Sequence, residues 1–138
     1  MSGVTGTLVR MSTDTPIARL ALTALDCPDP RELARFYSRI TGWPVAEQSE
    51  NDWVELDSGG TGATLAFQAI SEGPYRPPEW PGQEHPQRAH FDFDVQDLDA
   101  GEAAVLAIGA RKHEVQPAPE SFRVFLDPVG HPFCLVTT

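Results

Sequence analysis

Little in this chain is basic, sulfur-bearing or uninterruptedly apolar, and each shortage closes off a class of function. Ten lysines and arginines stand against twenty aspartates and glutamates, a formal charge of −10 over 138 residues. That balance repels polyanions, so neither nucleic acid nor an anionic membrane is an expected partner. Two cysteines, Cys27 and Cys134, are too few for a disulfide framework, and no C-x-x-C pair marks a zinc or redox motif. No apolar run reaches the length that crosses a bilayer, and the opening MSGVTGTLVRMSTDTP lacks the apolar core and cleavage site of a secretory signal. A soluble protein of the reducing cytoplasm is expected. Residues 1–16 read as a flexible tail without assigned function, since Met11 opens MSTDTP as readily as Met1 opens the chain.

Proline, by contrast, is abundant and concentrated in SEGPYRPPEWPGQEHPQ, residues 71–87, which is too proline-dense for regular structure and too short for a flexible tether. Similar patterns flank it. Before it, residues 17–25 read as a strand, and DCPDPRELARFYSRITG as a turn and a helix capped by Asp29, with Pro30 at its first position and Gly42 at its end. Leu33, Phe36, Tyr37 and Ile40 share one face of that helix, and short strands follow near 45–48, 52–57 and 63–70. After the break come a strand (RAHFDFDVQ), a helix that Asp97 can cap (DLDAGEAAVLAIG), and strands ARKHEVQ, SFRVFLD and HPFCLVTT. Setting Asp29 on Asp97 places Leu22 on His90, and setting Gly62 on Gly130 by the same offset places Ala66 on Cys134. An internal duplication follows. The expected fold is α+β: two tandem βαβββ modules, 17–70 and 88–138, form a curved mixed sheet around a central cavity with helices on its outer face, one domain over 17–138.

Strand alternation sorts the side chains between helix and cavity. Phe91, Phe93 and Val95 face the helix, leaving His90, Asp92 and Asp94 on the cavity side; Phe133 and Leu135 face the helix, leaving Pro132, Cys134 and Val136. Leu22, Ala24, Asp26, Ala66 and Gln68 are placed in the cavity by the same rule. With Val54, Leu56, Val124 and Leu126 taken as helix-facing, Trp53, Glu55, Arg123 and Phe125 line it too.

The segments CPDPRELARFY and AHFDFDVQDLDAGEAAVLAIGAR, closed by FLDPVGHPFCLV, resemble the vicinal oxygen chelate superfamily of glyoxalase I, extradiol dioxygenases and bleomycin and fosfomycin resistance proteins. More narrowly, the chain is similar to the glyoxalase-like domains common in actinobacteria. The resemblance covers residues 17–138 and implies a fold that hosts lyases, dioxygenases, transferases and non-catalytic binders. It also implies a homodimer, with modules pairing either within a chain or across subunits. In metal-dependent members, His, Gln and Glu side chains on the first and last strands hold a divalent ion. Carried over, those positions are Leu22, Ala66, His90 and Cys134. Only His90 matches, and a thiolate replaces a hard carboxylate. With one His and one Cys, a ligand short of the smallest catalytic set, no metal and no other cofactor is expected.

Two candidate catalytic residues remain, His90 and Asp92, neighbours on one strand face. There a carboxylate can orient an imidazole for general acid–base work, or the pair is the polar remnant of a metal site. Cys134 is either a nucleophile beside His90 or a small apolar filler. Trp53, Glu55, Gln68, Trp80, Arg123, Phe125 and Cys134 are candidate binding residues: aromatic walls with a few polar groups suit a flat organic ligand. Phe67 and Tyr75 lie in or near the same cavity, and YRPPEWP can fold over its mouth. Clustered Asp26, Asp92 and Asp94 favour a basic or amine-bearing ligand, while Arg123 either pairs with Glu55 or receives an anion. His131 is assigned to its turn, and His85 and His113 to the surface. The leading expectation is a metal-free binder of a small aromatic or cationic molecule, of the resistance or sequestration type. The alternatives are a metal-dependent lyase or dioxygenase whose further ligands come from Glu55, Gln68 or Asp92, and a metal-free acid–base enzyme using His90 and Asp92. Whether any reaction is catalysed stays open at this stage.

Overall fold

The computed structural model describes residues 16, 19–70, 73–82 and 89–137. The tail up to residue 15, residues 17 and 18 of the expected first strand, and His85 lie outside the described residues.

The βαβββ order is complete in the second module and present in the first with one strand reduced to a bridge. In the first module β1 (Leu22–Cys27) leads into α1 (Pro30–Thr41), then β2 (Trp53–Glu55) and β3 (Thr64–Ala69). The strand expected near 45–48 is reduced to a single bridge, Val45 to Leu56, leaving a three-stranded sheet in the order β1-β3-β2. Pro44 precedes the bridge, and residues 47 and 48 already turn. The second module contains β4 (Phe91–Asp94), α2 (Leu98–Ala107), β5 (Arg111–Lys112), β6 (Phe122–Leu126) and β7 (Pro132–Val136), with sheet order β4-β7-β6-β5. In each module the first strand runs parallel to the last.

Local chemistry explains both helices. Asp29 caps α1 by accepting from the Glu32 N–H at 3.3 Å, Pro30 supplies a preset φ at the first turn, and Gly42 ends the helix at φ 78°. Asp97 caps α2 through the N–H groups of Asp99 and Ala100. The two faces differ in character. α1 buries Leu33, Ala34, Phe36 and Tyr37 and exposes Glu32, Arg35 and Arg39, whereas α2 buries little more than Leu98 and Val105.

Tyr37 joins the modules. Its ring stacks on Phe67 of β3 at 5.6 Å and meets Phe91 of β4 edge-on at 5.6 Å, while Phe36 meets Phe133 of β7 at 5.9 Å. Its hydroxyl donates to buried Asp127 at 2.7 Å. Asp127 also accepts from the N–H groups of Val129 and His131, so one carboxylate binds α1 and closes the DPVGH turn.

Register corrects one expectation. Val124 lies opposite Cys134, and Phe125 opposite Phe133. Opposed residues share a face, so Val124 and Phe122 look into the cavity while Arg123 and Phe125 lie on the helix side. Phe125 is fully buried and stacks on Phe133 at 5.7 Å. The Arg123 guanidinium reaches Asp99 and Glu102 of α2, at 2.9 and 3.0 Å, not Glu55. Alternation misled because FRVFL is apolar on both faces and its only charge snorkels out from the helix face to two acids.

Candidate functional site

Three adjacent strands build the site as cross-strand rows. Asp92, Cys134 and Val124 form one row, and Asp94, Val136 and Phe122 the next. All of these but Asp94, with Pro132, His90 and Trp80, enclose a hollow of about 310 Å³. Asp94, expected in the same cavity, lines a separate hollow beside α2. Phe122, Val124, Pro132 and Val136 are its apolar wall; His90 and Asp92 supply polarity at one end. The hollow has the dimensions of a small-ligand pocket. Phe122 and Val124 were missed as lining residues, although Trp53 in the first module was a usable signal. Trp53 lies opposite Gln68 as Phe122 lies opposite Val136, so the duplication carries an aromatic at the same place twice.

Trp80 arrives from the proline-rich segment. Its ring meets His113 of the second module edge-on at 5.0 Å, and the His113 Nδ1 accepts from the Val115 N–H, fixing that imidazole. Pro77 lies against Gly130, where an added Cβ would come within 2.9 Å of the Pro77 Cβ. Residues 73–82 of the segment are thus packed on this module at two points, Pro77 and Trp80. His113 is half-buried and holds Trp80, a role its surface assignment did not foresee.

His90 Nε2 stands 3.2 Å from Asp92 Oδ1, and both side chains are substantially exposed. The Cys134 thiol is buried. Burial first, then the Asp92 charge and a hydrogen bond to that carboxylate, push it up to about 11. A thiol held there is not primed for attack at neutral pH. His131 donates from Nδ1 to the Pro132 carbonyl at 3.0 Å, and burial lowers its pKa.

The potential ligand atoms of His90, Asp92 and Cys134 lie within 4.8 Å of one another, the one such trio among the described residues. Asp92 therefore supplies a third donor that the carried-over positions omitted. Imidazole, thiolate and carboxylate together fit a borderline cation such as zinc or iron(II) better than magnesium, and three protein ligands with an open position match a catalytic zinc site. Leu22 and Ala66 offer no donor.

The remaining sequence candidates separate. Trp53, Glu55 and Gln68 share the corresponding face of the first sheet with Ala24 and Asp26. Trp53 and Glu55, however, line a different hollow, which shares no lining residue with that of His90. Phe67 is buried against Tyr37 on the helix side, outside either hollow. Burial, followed by the charges of Asp127, Cys27 and Asp26, pushes Tyr75 up to about 12.

The family model for the glyoxalase-like domain matches residues 23–136. The chain belongs to that family. Its fold is shared with a glyoxalase/bleomycin resistance protein/dioxygenase family enzyme from Burkholderia phytofirmans PsJN, at 18% identity and TM-score 0.63 over 87% of this chain and 98% of that one. A glyoxalase-related enzyme from Fulvimarina pelagi is similar at 17% identity and TM-score 0.63, covering 88% of this chain and 89% of that one. An oxidase, ChaP-H2, matches at 19% identity and TM-score 0.57 over 89% and 95% of the two chains. Likeness at this identity carries the fold and not the chemistry. No curated protein matches the sequence significantly. No helix among the described residues is long and apolar enough to cross a membrane.

Proposed function

We propose that this glyoxalase-like protein binds a small planar organic molecule carrying a basic group, in the hollow of its second module, and sequesters it. The supporting observation is a hollow lined by Phe122, Val124 and Val136 together with Trp80 and the His90–Asp92 pair. A flat ring lies between Trp80 and those apolar residues, and its ammonium or amidine meets Asp92. Aromatic surface supplies most of the affinity and the carboxylate sets orientation. Calorimetry with planar cations and their matched neutral and anionic analogues tests this. Cations should bind preferentially, Asp92→Asn should weaken them about tenfold, and Trp80→Ala should weaken charged and neutral ligands alike. Absence of binding across such a panel overturns the reading. The protein works as a homodimer in this proposal, a state that light scattering reads directly. Free Cys27 and Cys134 suit the reducing cytoplasm.

A second reading is favoured by the clustering of His90, Asp92 and Cys134. These three residues would hold a zinc or iron(II) ion, which supplies Lewis-acid polarisation of a substrate oxygen when bound. The chain's own contribution is then to orient the substrate against Phe122 and Val136 and to exclude water. Elemental analysis of chelator-free protein decides: about one equivalent lost together in His90→Ala and Cys134→Ala supports a metal enzyme, and less than about a tenth of an equivalent removes it.

A further inference from the structure

We infer that the first module carries a second, separate ligand site, which takes a small organic ammonium ion against the Trp53 ring and the Glu55 carboxylate. The hollow there has a volume of about 270 Å³ and is lined by Ala46, Gln48, Ser49, Trp53 and Glu55. This lies just below the range usual for drug-sized ligands and suits a choline-sized group.

Its walls are preorganised. The turn at 46–50 is laced onto β2, with the Ala46 N–H donating to the Glu55 carbonyl at 2.8 Å and the Glu50 N–H to the Trp53 carbonyl at 2.9 Å. The Ser49 hydroxyl oxygen accepts from the Glu55 N–H at 3.0 Å. The Trp53 indole N–H donates to Glu55 Oε2 at 2.8 Å, which fixes the carboxylate beside the ring. Among the described residues, no ion pair involves Glu55. Continuing the row from Trp53, Gln68 and then exposed Asp26 add a second acid to the same face. The Arg31 guanidinium touches the rim, donating to the Ser49 carbonyl at 2.9 Å, but makes no ion pair with Glu55. An aromatic ring with a fixed carboxylate at its side selects ammonium ions through cation–π and charge attraction together.

The duplication sharpens the contrast between the two hollows. Glu55 lies opposite Ala66 as Val124 lies opposite Cys134, so the first module puts a carboxylate where the second has an apolar wall. Equivalent positions therefore select differently: a small cation in one hollow, extended apolar surface in the other. This site goes beyond the His90 hollow and does not depend on it.

Choline and its uncharged isostere 3,3-dimethyl-1-butanol, titrated into the full chain by calorimetry, test the inference. Choline should bind at least about tenfold more tightly than the isostere. Glu55→Gln should cost about tenfold in choline affinity and Trp53→Leu should abolish binding, while Trp53→Phe keeps most of it. His90→Ala and Asp92→Asn should each change choline affinity by less than about twofold, since in the second-module hollow it is Asp92 that meets an ammonium group. If either first-module variant fails to fold, the isostere comparison on the unaltered protein and the His90→Ala and Asp92→Asn titrations still decide. Equal affinity for choline and the isostere overturns the inference. So does loss of choline binding in His90→Ala or Asp92→Asn, or no binding up to about 100 mM choline.

Discussion

Cys134 sits where metal-dependent relatives are expected to keep a carboxylate, and its surroundings decide what sulfur does there. Burial and Asp92 hold its thiol at about 11, and burial followed by the charges of Asp127, Asp29 and Asp26 holds Cys27 at about 11 as well. At about pH 8 both should therefore alkylate far more slowly in the folded, metal-stripped protein than in urea. Asp92→Asn removes a nearby negative charge, lowers the Cys134 pKa and should speed labelling of that residue alone, as read by mass spectrometry of the two cysteine peptides. His131 shows the opposite sign. Burial lowers its pKa from 6.5, so the fold prefers the neutral ring and the unfolded chain takes up the proton first. Stability should fall as pH drops below 6.5, and His131→Gln should flatten that loss in melts recorded across the window. Asp127 runs against it: burial raises its pKa above 3.8, so its own contribution grows as pH falls through the raised value.

Helix α1 and the turn after β6 are coupled through a single buried hydrogen bond, and their substitutions should show it. Tyr37→Phe removes the hydroxyl from Asp127 and should cost about 1 to 3 kcal/mol by urea titration. Asp127→Ala strands three donors, Tyr37 Oη and the Val129 and His131 N–H groups, and should cost more than Tyr37→Phe. Effects of the two changes should be less than additive, since both break the same contact. Gly130 has φ 89° and lies against Pro77, so Gly130→Ala meets both backbone strain and a clash. It should lower stability by about 1 to 3 kcal/mol and displace Trp80, weakening ligands of the second-module hollow more than those at Trp53. Much at this scale is legible beforehand: Asp29, Pro30 and Gly42 mark α1, and Asp97 marks α2. The facing of β6 is not, because a strand apolar on both sides carries no alternation to read.

Across the whole molecule, acidity and duplication set the terms. A formal charge of −10 favours cationic ligands at the two proposed sites, and raising salt should lower their affinity while leaving neutral analogues unchanged, as titrations at low and high ionic strength will show. The βαβββ repeat, the helix caps, the aromatic stripe of α1 and the placing of His90, Asp92 and Cys134 on one face all follow from spacing along the chain, because periodicity and capping are local properties. Tertiary structure alone resolved the rest. It turned Arg123 and Phe125 to the helix side, set Phe122 and Val124 in the wall and brought Asp92 within ligand distance of Cys134. It also divided one anticipated cavity into two hollows. Those outcomes depend on cross-strand register and on which sheet faces which element, and both are settled by contacts between residues far apart in the chain.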